Sequence, residues 1–378
     1  MEADVLLNAY IDLNLLLAVC AVMWLGLRWS LSRVGLGAAF TQQLRLLKAL
    51  SSMLFVGPIV AIVLTTWVWS NTPNISDMLV TQFLHGSIQM SASNFETLIG
   101  ARDAIVRDAV SQQSIWSQLA FGLFAVGLVV AAARVTLAAV RLKSILKGAH
   151  PWKRSGNLHI LISDVARVAF STRDLRNRYV ILPSHLLTSP RDLRLTVAHE
   201  IQHFRQRDIE FEFLQEALHP LLFWNPAYYF WRNEMRRLRE YACDQSVLKR
   251  GWIQARAYCE CLIRASQFAA QRPVLFEARI PVVAMVERRG RRSGLALRKR
   301  ILSVAALTDR NGPAILWATA ASFAMVSVVA SAIAIQRPAD WSHDRIMLST
   351  VVNLERLANR NATLLPQSPF QGGFVAAN

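Results

Sequence analysis

Four runs of about twenty apolar residues constrain this chain more than any other feature. They lie at 7–27, 50–70, 116–135 and 314–335. The hydrocarbon core of a bilayer takes about 20 residues of helix, so each run is long enough to span it. Backbone groups in lipid find no water, so such a run must satisfy them internally as a helix. Composition agrees, with 53% hydrophobic residues and a positive mean hydropathy. Trp24, Trp67, Trp69, Trp116 and Trp317 fall towards the ends of the runs, as interfacial tryptophans do. The Met-Glu-Ala-Asp start carries no basic region, so the first run is expected to stay as an anchor. Asp12 and Asn14 near its start are either functional polar groups or residues facing an interface or a partner helix.

Charge orients the runs. The stretch between the first two holds Arg28, Arg33, Arg45 and Lys48 and no acid, which predicts a cytoplasmic loop. Residues 71–113 hold two arginines against four acids, a net of −2, and are expected outside. Residues 141–312 hold 31 Lys+Arg and 15 Asp+Glu, a net of +16, and are expected in the cytoplasm. That region accounts for nearly all of the formal +17 of the chain. Such charge draws a tethered domain to anionic lipid. Nucleic-acid binding would explain it too, but no recognition motif accompanies it. The four cysteines, Cys20, Cys243, Cys259 and Cys261, show no C-x-x-C pairing, so neither a structural disulfide nor a cysteine metal knuckle is expected.

The chemistry concentrates at His199-Glu200-Ile201-Gln202-His203, an H-E-x-x-H run in a helix-prone stretch. On a helix the two histidines lie one turn apart on one face and can hold one Zn²⁺. Glu200 beside them is free to carry a proton from an activated water to a leaving amine. A hydrolytic site needs a third protein ligand, and Glu240 on a second helical stretch is the best candidate. The bland alternative for Glu240 is an i, i+4 ion pair with Arg236. Asp244, one turn beyond Glu240, could accept the free ring N–H of a zinc-bound histidine. His219 reads as structural.

These residues carry a family resemblance. His199-Glu200-x-x-His203 is followed by Arg207-Asp208, then Phe223-Trp224-Asn225-Pro226, then Arg239-Glu240-Tyr241-Ala242-Cys243-Asp244. The pattern is similar to the gluzincin peptidases. In its fuller wording it resembles the membrane-embedded family of the beta-lactam-sensing antirepressor (BlaR/MecR-type) proteins. The resemblance covers about residues 1–336 and is strongest at 179–248. It implies that His199, His203 and Glu240 ligate Zn²⁺ with Glu200 as catalytic base. It also implies cleavage of a cytoplasmic regulator, a transcriptional repressor, in a bacterial inner membrane, with self-cleavage accompanying activation.

The expected fold is therefore a multi-pass α-helical membrane protein with an α+β, gluzincin-like zinc peptidase domain in the cytoplasm. Residues 1–140 would form a membrane region with three spans and the external loop at 71–113. Residues 141–312 would be the peptidase, 313–336 the fourth span and 337–378 a short external tail, with both chain termini outside. The segment Tyr179-Val180-Ile181-Leu182 reads as a strand that edges the zinc cleft and pairs with an extended substrate, or as a buried strand. The aromatic stretch 211–231 is core or partly in the membrane interface. Tyr228, Tyr229 and Tyr241 are open candidates for polarising the scissile carbonyl. Asn74-Ile75-Ser76 matches a glycosylation triplet that also recurs by chance. The stretch 276–300 is polar and is the expected place for a self-inflicted nick. Two other functions stay open: a quality-control peptidase of broad specificity, and a receptor or scaffold whose zinc is structural. The best-known members of the antirepressor family carry a penicillin-binding sensor domain after the last span. Residues 337–378 contain no S-x-x-K run, so no acylation by beta-lactams is expected. The signal is then expected through the 71–113 loop, the spans or, as favoured, a separate partner. Lipid is a further partner, and a homo-oligomer stays open.

Overall fold

The computed structural model describes residues 2–67, 74–270, 283–284, 290–305, 312–336 and 343–364. Each apolar run, over its described residues, lies in a helix. These are α1 (Glu2–Arg33), α2 (Phe40–Trp67), α5 (Ile115–Lys147) and α11 (Ala314–Ile335), and among the described residues they are the four long and apolar enough to cross a membrane. Two compact units divide the chain, and all four helices contribute to both.

The larger unit comprises Leu13–Gly57 and Leu119–Val329. After α5 come four strands: β1 (His150–Ser155), β2 (Leu158–Ser163), β3 (Phe170–Arg173) and β4 (Arg178–Pro183). Helices α6 (Pro190–Arg205), α7 (Asp208–Leu222), α8 (Pro226–Leu248) and α9 (Ala255–Ala270) follow, then β5 (Val283–Ala284) and α10 (Gly290–Ala305). The sheet runs β1-β2-β4-β3-β5, with β2 and β4 parallel and the other pairs antiparallel.

The position of β4 corrects the sequence expectation. It lies inside the sheet, hydrogen-bonded to β2 on one side and β3 on the other, so it has no free edge for a substrate. Val180 and Leu182 pack with Phe204 and Ile209 of the helical layer, while Ile181 packs with Leu142 of α5 and Phe170. A strand buried on both faces reads as an unbroken apolar run, which is why alternation gave no warning. Burying each of those three side chains stabilises the fold by about 1.5–3 kcal/mol. Tyr179 is half-buried on the same face as Ile181, packed against that cluster, and its hydroxyl donates to Asp174 Oδ2 at 2.9 Å.

The Phe223-Trp224-Asn225-Pro226 run is a helix start. Asn225 caps α8 by accepting from the Ala227 N–H at 2.8 Å, and Pro226 occupies the first turn, where its missing N–H costs nothing. The Asn225 amide also donates to Asn14 Oδ1 of α1 at 2.7 Å, which gives the polar residue of the first span its partner. Further down α1, Trp24 Nε1 and Arg28 Nη1 both donate to Glu234 of α8, at 3.2 and 3.1 Å. On α2, Ser51 accepts from Trp231 Nε1 at 2.9 Å and Thr41 donates to Gln245 at 3.0 Å. Of the aromatic stretch, Tyr228 and Trp231 are core, whereas Trp224 is half exposed.

The smaller unit comprises Met1–Asp12, Pro58–Gln118 and Ala330–Asn378. Sequence separated its loop from its tail, yet helix α12 (His343–Leu364) packs on α3 (Ile75–Leu84) and α4 (Ala92–Ser111) around Val80, Phe95, Leu348 and Val352. Asn74, first of the glycosylation-like triplet, caps α3. Arg102 of α4 donates to Asp12 Oδ1 at 2.7 Å and to the Ile335 carbonyl at 3.1 Å. The terminal 365–378 and Trp69 lie outside the described residues, as does most of the stretch expected to be nicked; its end, 290–300, is helical in α10.

Candidate metal centre

The H-E-x-x-H run occupies the last turns of α6, which begins with Pro190 in its first turn. His199, Glu200 and His203 are fully buried. The two Nε2 atoms face each other at 3.1 Å. Glu240 of α8 brings Oε2 to 3.6 Å from His199 Nε2 and Oε1 to 3.9 Å from His203 Nε2. The bland alternative for Glu240 is not what organises Arg236, whose guanidinium donates to Glu212 Oε1 at 2.7 Å.

Both Nδ1 atoms are engaged on the far side of the rings. His203 Nδ1 lies 2.8 Å from Asp208 Oδ2, which at the buried end of α7 can only accept. Arg207 makes this contact possible by adopting the left-handed conformation, φ +55°, so the chain doubles back into α7 after two residues. His199 Nδ1 lies 2.8 Å from the Tyr258 hydroxyl, which itself donates to Asp244 Oδ1 at 2.6 Å and so accepts from the ring. Asp244 therefore addresses His199 mainly through Tyr258, although Oδ1 is itself 3.5 Å from Nδ1. With both protons on Nδ1, two bare Nε2 lone pairs meet in the core beside a carboxylate. That donor set fits a cation and is poorly matched to an empty core.

Arg300 of α10, the last residue of the polar stretch expected to be nicked, completes the surroundings. It is buried, holds both Asp244 oxygens at 2.6 and 2.8 Å, and reaches Glu240 Oε2 at 3.0 Å. Burial opposes charge on Glu240, but Arg300 and the histidines outweigh it and hold its pKa down at about 2. Burial likewise works against a charged His203, yet Asp208 and Glu240 raise its pKa above the ordinary value. For Glu200, burial prevails and the pKa is raised.

Cys243 also lies close enough to be grouped with the two histidines. Its sulfur sits 3.4 Å from His199 Nδ1, the side occupied by Tyr258 and away from the facing Nε2 atoms. Burial pushes the pKa of its thiol well up. By position Glu240, whose oxygens lie on the Nε2 side of both rings, is the better candidate for a third donor. Replacing Glu240 with Ala is expected to lower zinc affinity of the purified chain by an order of magnitude or more, while Arg236→Ala leaves it unchanged. Equal zinc content in all three proteins, measured by atomic absorption after dialysis against a chelator, would remove Glu240 from the ligand set.

The strand beside Glu200 is β3. Ser171 donates its hydroxyl to Glu200 Oε2 and also approaches the Glu200 carbonyl at 3.1 Å. Glu200 Oε1 has no hydrogen-bond partner among the described residues. The outer edge of β3 is occupied by β5, with Ser171 opposite Val283 and Phe170 opposite Ala284. Of the tyrosines considered for carbonyl polarisation, two have their hydroxyls bonded elsewhere and the third is placed by a ring contact. Tyr228 and Tyr229 donate to the carbonyls of Gln215 and Phe223, and Tyr241 packs on Phe40 of α2.

The fold and this centre describe a membrane metallopeptidase. A family model described as the BlaR1 peptidase M56 matches residues 9–291, and the chain belongs to that family. No curated protein matches it.

Proposed function

We propose that the chain is a multi-pass zinc endopeptidase of signal transduction in a bacterial inner membrane, which cleaves a cytoplasmic regulator, a transcriptional repressor, and itself. The observation that carries this reading is the buried convergence of His199, His203 and Glu240 next to a free Glu200 oxygen. Two imidazoles and a carboxylate suit Zn²⁺. A zinc ion held there would polarise a scissile carbonyl and activate water for attack.

The residues of the chain supply the rest. Glu200 takes the proton from the attacking water and delivers it to the departing amine. Ser171 holds one Glu200 oxygen and leaves the other for that transfer. Asp244, through Tyr258, and Asp208 keep the Nδ1 protons in place, so both Nε2 atoms remain donors to the metal. The edge of β3 offers backbone groups to an extended peptide, and β5 of the same chain takes that place. Residues 283–284 lie within the stretch expected to be nicked, which supports self-cleavage there. The basic balance of 141–312 supports a cytoplasmic catalytic domain.

Cells expressing the native chain or Glu200→Ala provide the test. Comparative proteomics is expected to find a DNA-binding regulator that accumulates only with the variant. Terminal sequencing is expected to find a nick between 276 and 300 only in the native chain. Fragments of identical termini in both would assign the cut to another protease, and unchanged regulator levels would remove the repressor from the proposal.

A further inference from the structure

The carboxylate behind His203 is held from outside the peptidase layer. Asp208 accepts the His203 Nδ1 proton on Oδ2 and a hydrogen bond from Lys48 Nζ on Oδ1, at 2.6 Å. Lys48 belongs to α2, one of the four helices able to cross a membrane, and sits at the basic flank of its apolar run. Its ammonium also donates to the Gln206 carbonyl at 2.5 Å. Gln206 caps the C-terminus of α6, where backbone carbonyls are left over and a positive charge is favoured by the helix dipole. A third contact places the same ammonium 5.1 Å from the centre of the Phe211 ring on α7. One lysine therefore grips the end of the H-E-x-x-H helix, the Phe211 ring on α7 and the carboxylate that orients a metal-facing histidine. Its side chain is only 12% exposed and that of Asp208 is fully buried.

Packing alone does not require this. The nearby contacts of α2 with α8 are a neutral Ser51–Trp231 bond, a Thr41–Gln245 bond and the Phe40–Tyr241 ring contact. None of these touches a residue that faces the metal. A buried ammonium loses hydration and is retained at low cost only where anions and carbonyls replace that water.

We propose that Lys48 is a positioning residue through which the α2 span sets the metal centre, acting on His203 by way of Asp208. The proposal rests on the reading of His199, His203 and Glu240 as metal ligands. With Lys48 in place, Asp208 stays an acceptor and fixes the His203 ring with Nε2 toward the metal. A shift of α2 by about 1–2 Å, the scale of helix movements at packed interfaces, parts Lys48 from both acceptors. The α2 helix is then a route by which an event in the membrane loosens or tightens the site.

The test uses the full chain in lipid nanodiscs, stripped of metal and titrated with Zn²⁺ against a chromophoric chelator. Lys48→Met is expected to weaken zinc binding about tenfold, the usual scale for losing the partner behind a ligand, and to alter the absorption spectrum of the Co²⁺-loaded protein. Asp208→Asn should do the same, and the double variant should bind no more weakly than Asp208→Asn alone. Lys48→Arg should restore native affinity to within a few fold. Ser51→Ala, which loosens α2 on α8 without touching the relay, should bind as the native chain does. If Lys48→Met does not fold, Lys48→Gln keeps a donor but removes the charge and is expected to weaken zinc severalfold. Native affinity and Co²⁺ spectrum in whichever of the two folds would overturn the proposal, as would losses that add in the double variant. A native chain that takes up no zinc would instead overturn the ligand reading, before any variant is compared.

Discussion

Replacing Glu200 with Ala is expected to abolish cleavage while leaving zinc in place. The carboxylate is fully buried, and in the proposed site Glu240 rather than Glu200 is the third donor beside the facing Nε2 atoms, so metal binding should not depend on Glu200. One Glu200 oxygen is held by Ser171 and the other is uncommitted among the described residues, the arrangement a proton carrier needs. General acid–base groups contribute about 10²–10⁴-fold, so the loss should fall in that range. Zinc content and cleavage should be measured on one purified preparation. Loss of zinc together with activity would mean that Glu200 is a ligand or that the substitution has collapsed the site. Glu200→Gln checks the second case, because it keeps the volume and an acceptor oxygen for the Ser171 hydroxyl while losing the base.

What could be read from the chain beforehand follows from how local each signal is. His199, Glu200 and His203 are fixed by helical spacing within five residues, so the pattern itself places them together. Glu240 and Asp244 follow the same logic within α8, though nothing in their spacing says that Asp244 reaches His199 by way of Tyr258, fourteen residues along on another helix. Asp208 stood in the quoted pattern without a role, because its contact with His203 depends on the left-handed turn at Arg207, and an arginine gives no sign of such a turn. Lys48 reads only as one of four basic residues in a cytoplasmic loop, and Arg300 only as the end of a polar stretch. Each is instead spent on a carboxylate behind a histidine, and that pairing spans 160 residues for Lys48 and 56 for Arg300. The substrate strand was misplaced for a related reason. A run such as Val180-Ile181-Leu182 announces a buried strand but not its neighbours, while β3, with Ser171 and Thr172 at its centre, carries little apolar signal.

The second large effect concerns stability. Glu212→Ala is expected to destabilise the peptidase layer by about 3–5 kcal/mol, the cost of leaving buried charge without its partner. Glu212 on α7 is fully buried and faces three arginines of α8. Arg232, Arg236 and Arg239 recur on one side of that helix at helical spacing. Arg236 and Arg239 bind it at 2.7 and 2.9 Å, and Arg232, at 3.3 Å, also pairs with Glu216 one turn on. Burial alone would push the Glu212 pKa up, but the three guanidiniums hold it well below the usual carboxylate range. Removing the carboxylate leaves Arg232 and Arg239, both nearly inaccessible to water, with too little negative charge to offset their desolvation. The comparison that makes the argument quantitative is Arg28→Ala. Arg28 pairs with Glu234 at 3.1 Å but is 39% exposed, and its loss is expected to cost no more than about 1 kcal/mol. Urea unfolding of the detergent-solubilised chain, followed by tryptophan fluorescence, distinguishes the two. Since α8 also carries Glu240, the Glu212 variant should lose zinc at a lower urea concentration than the native chain. If both substitutions shift the midpoint by the same small amount, the ladder between α7 and α8 is solvated in solution and does not fix the helix that presents Glu240.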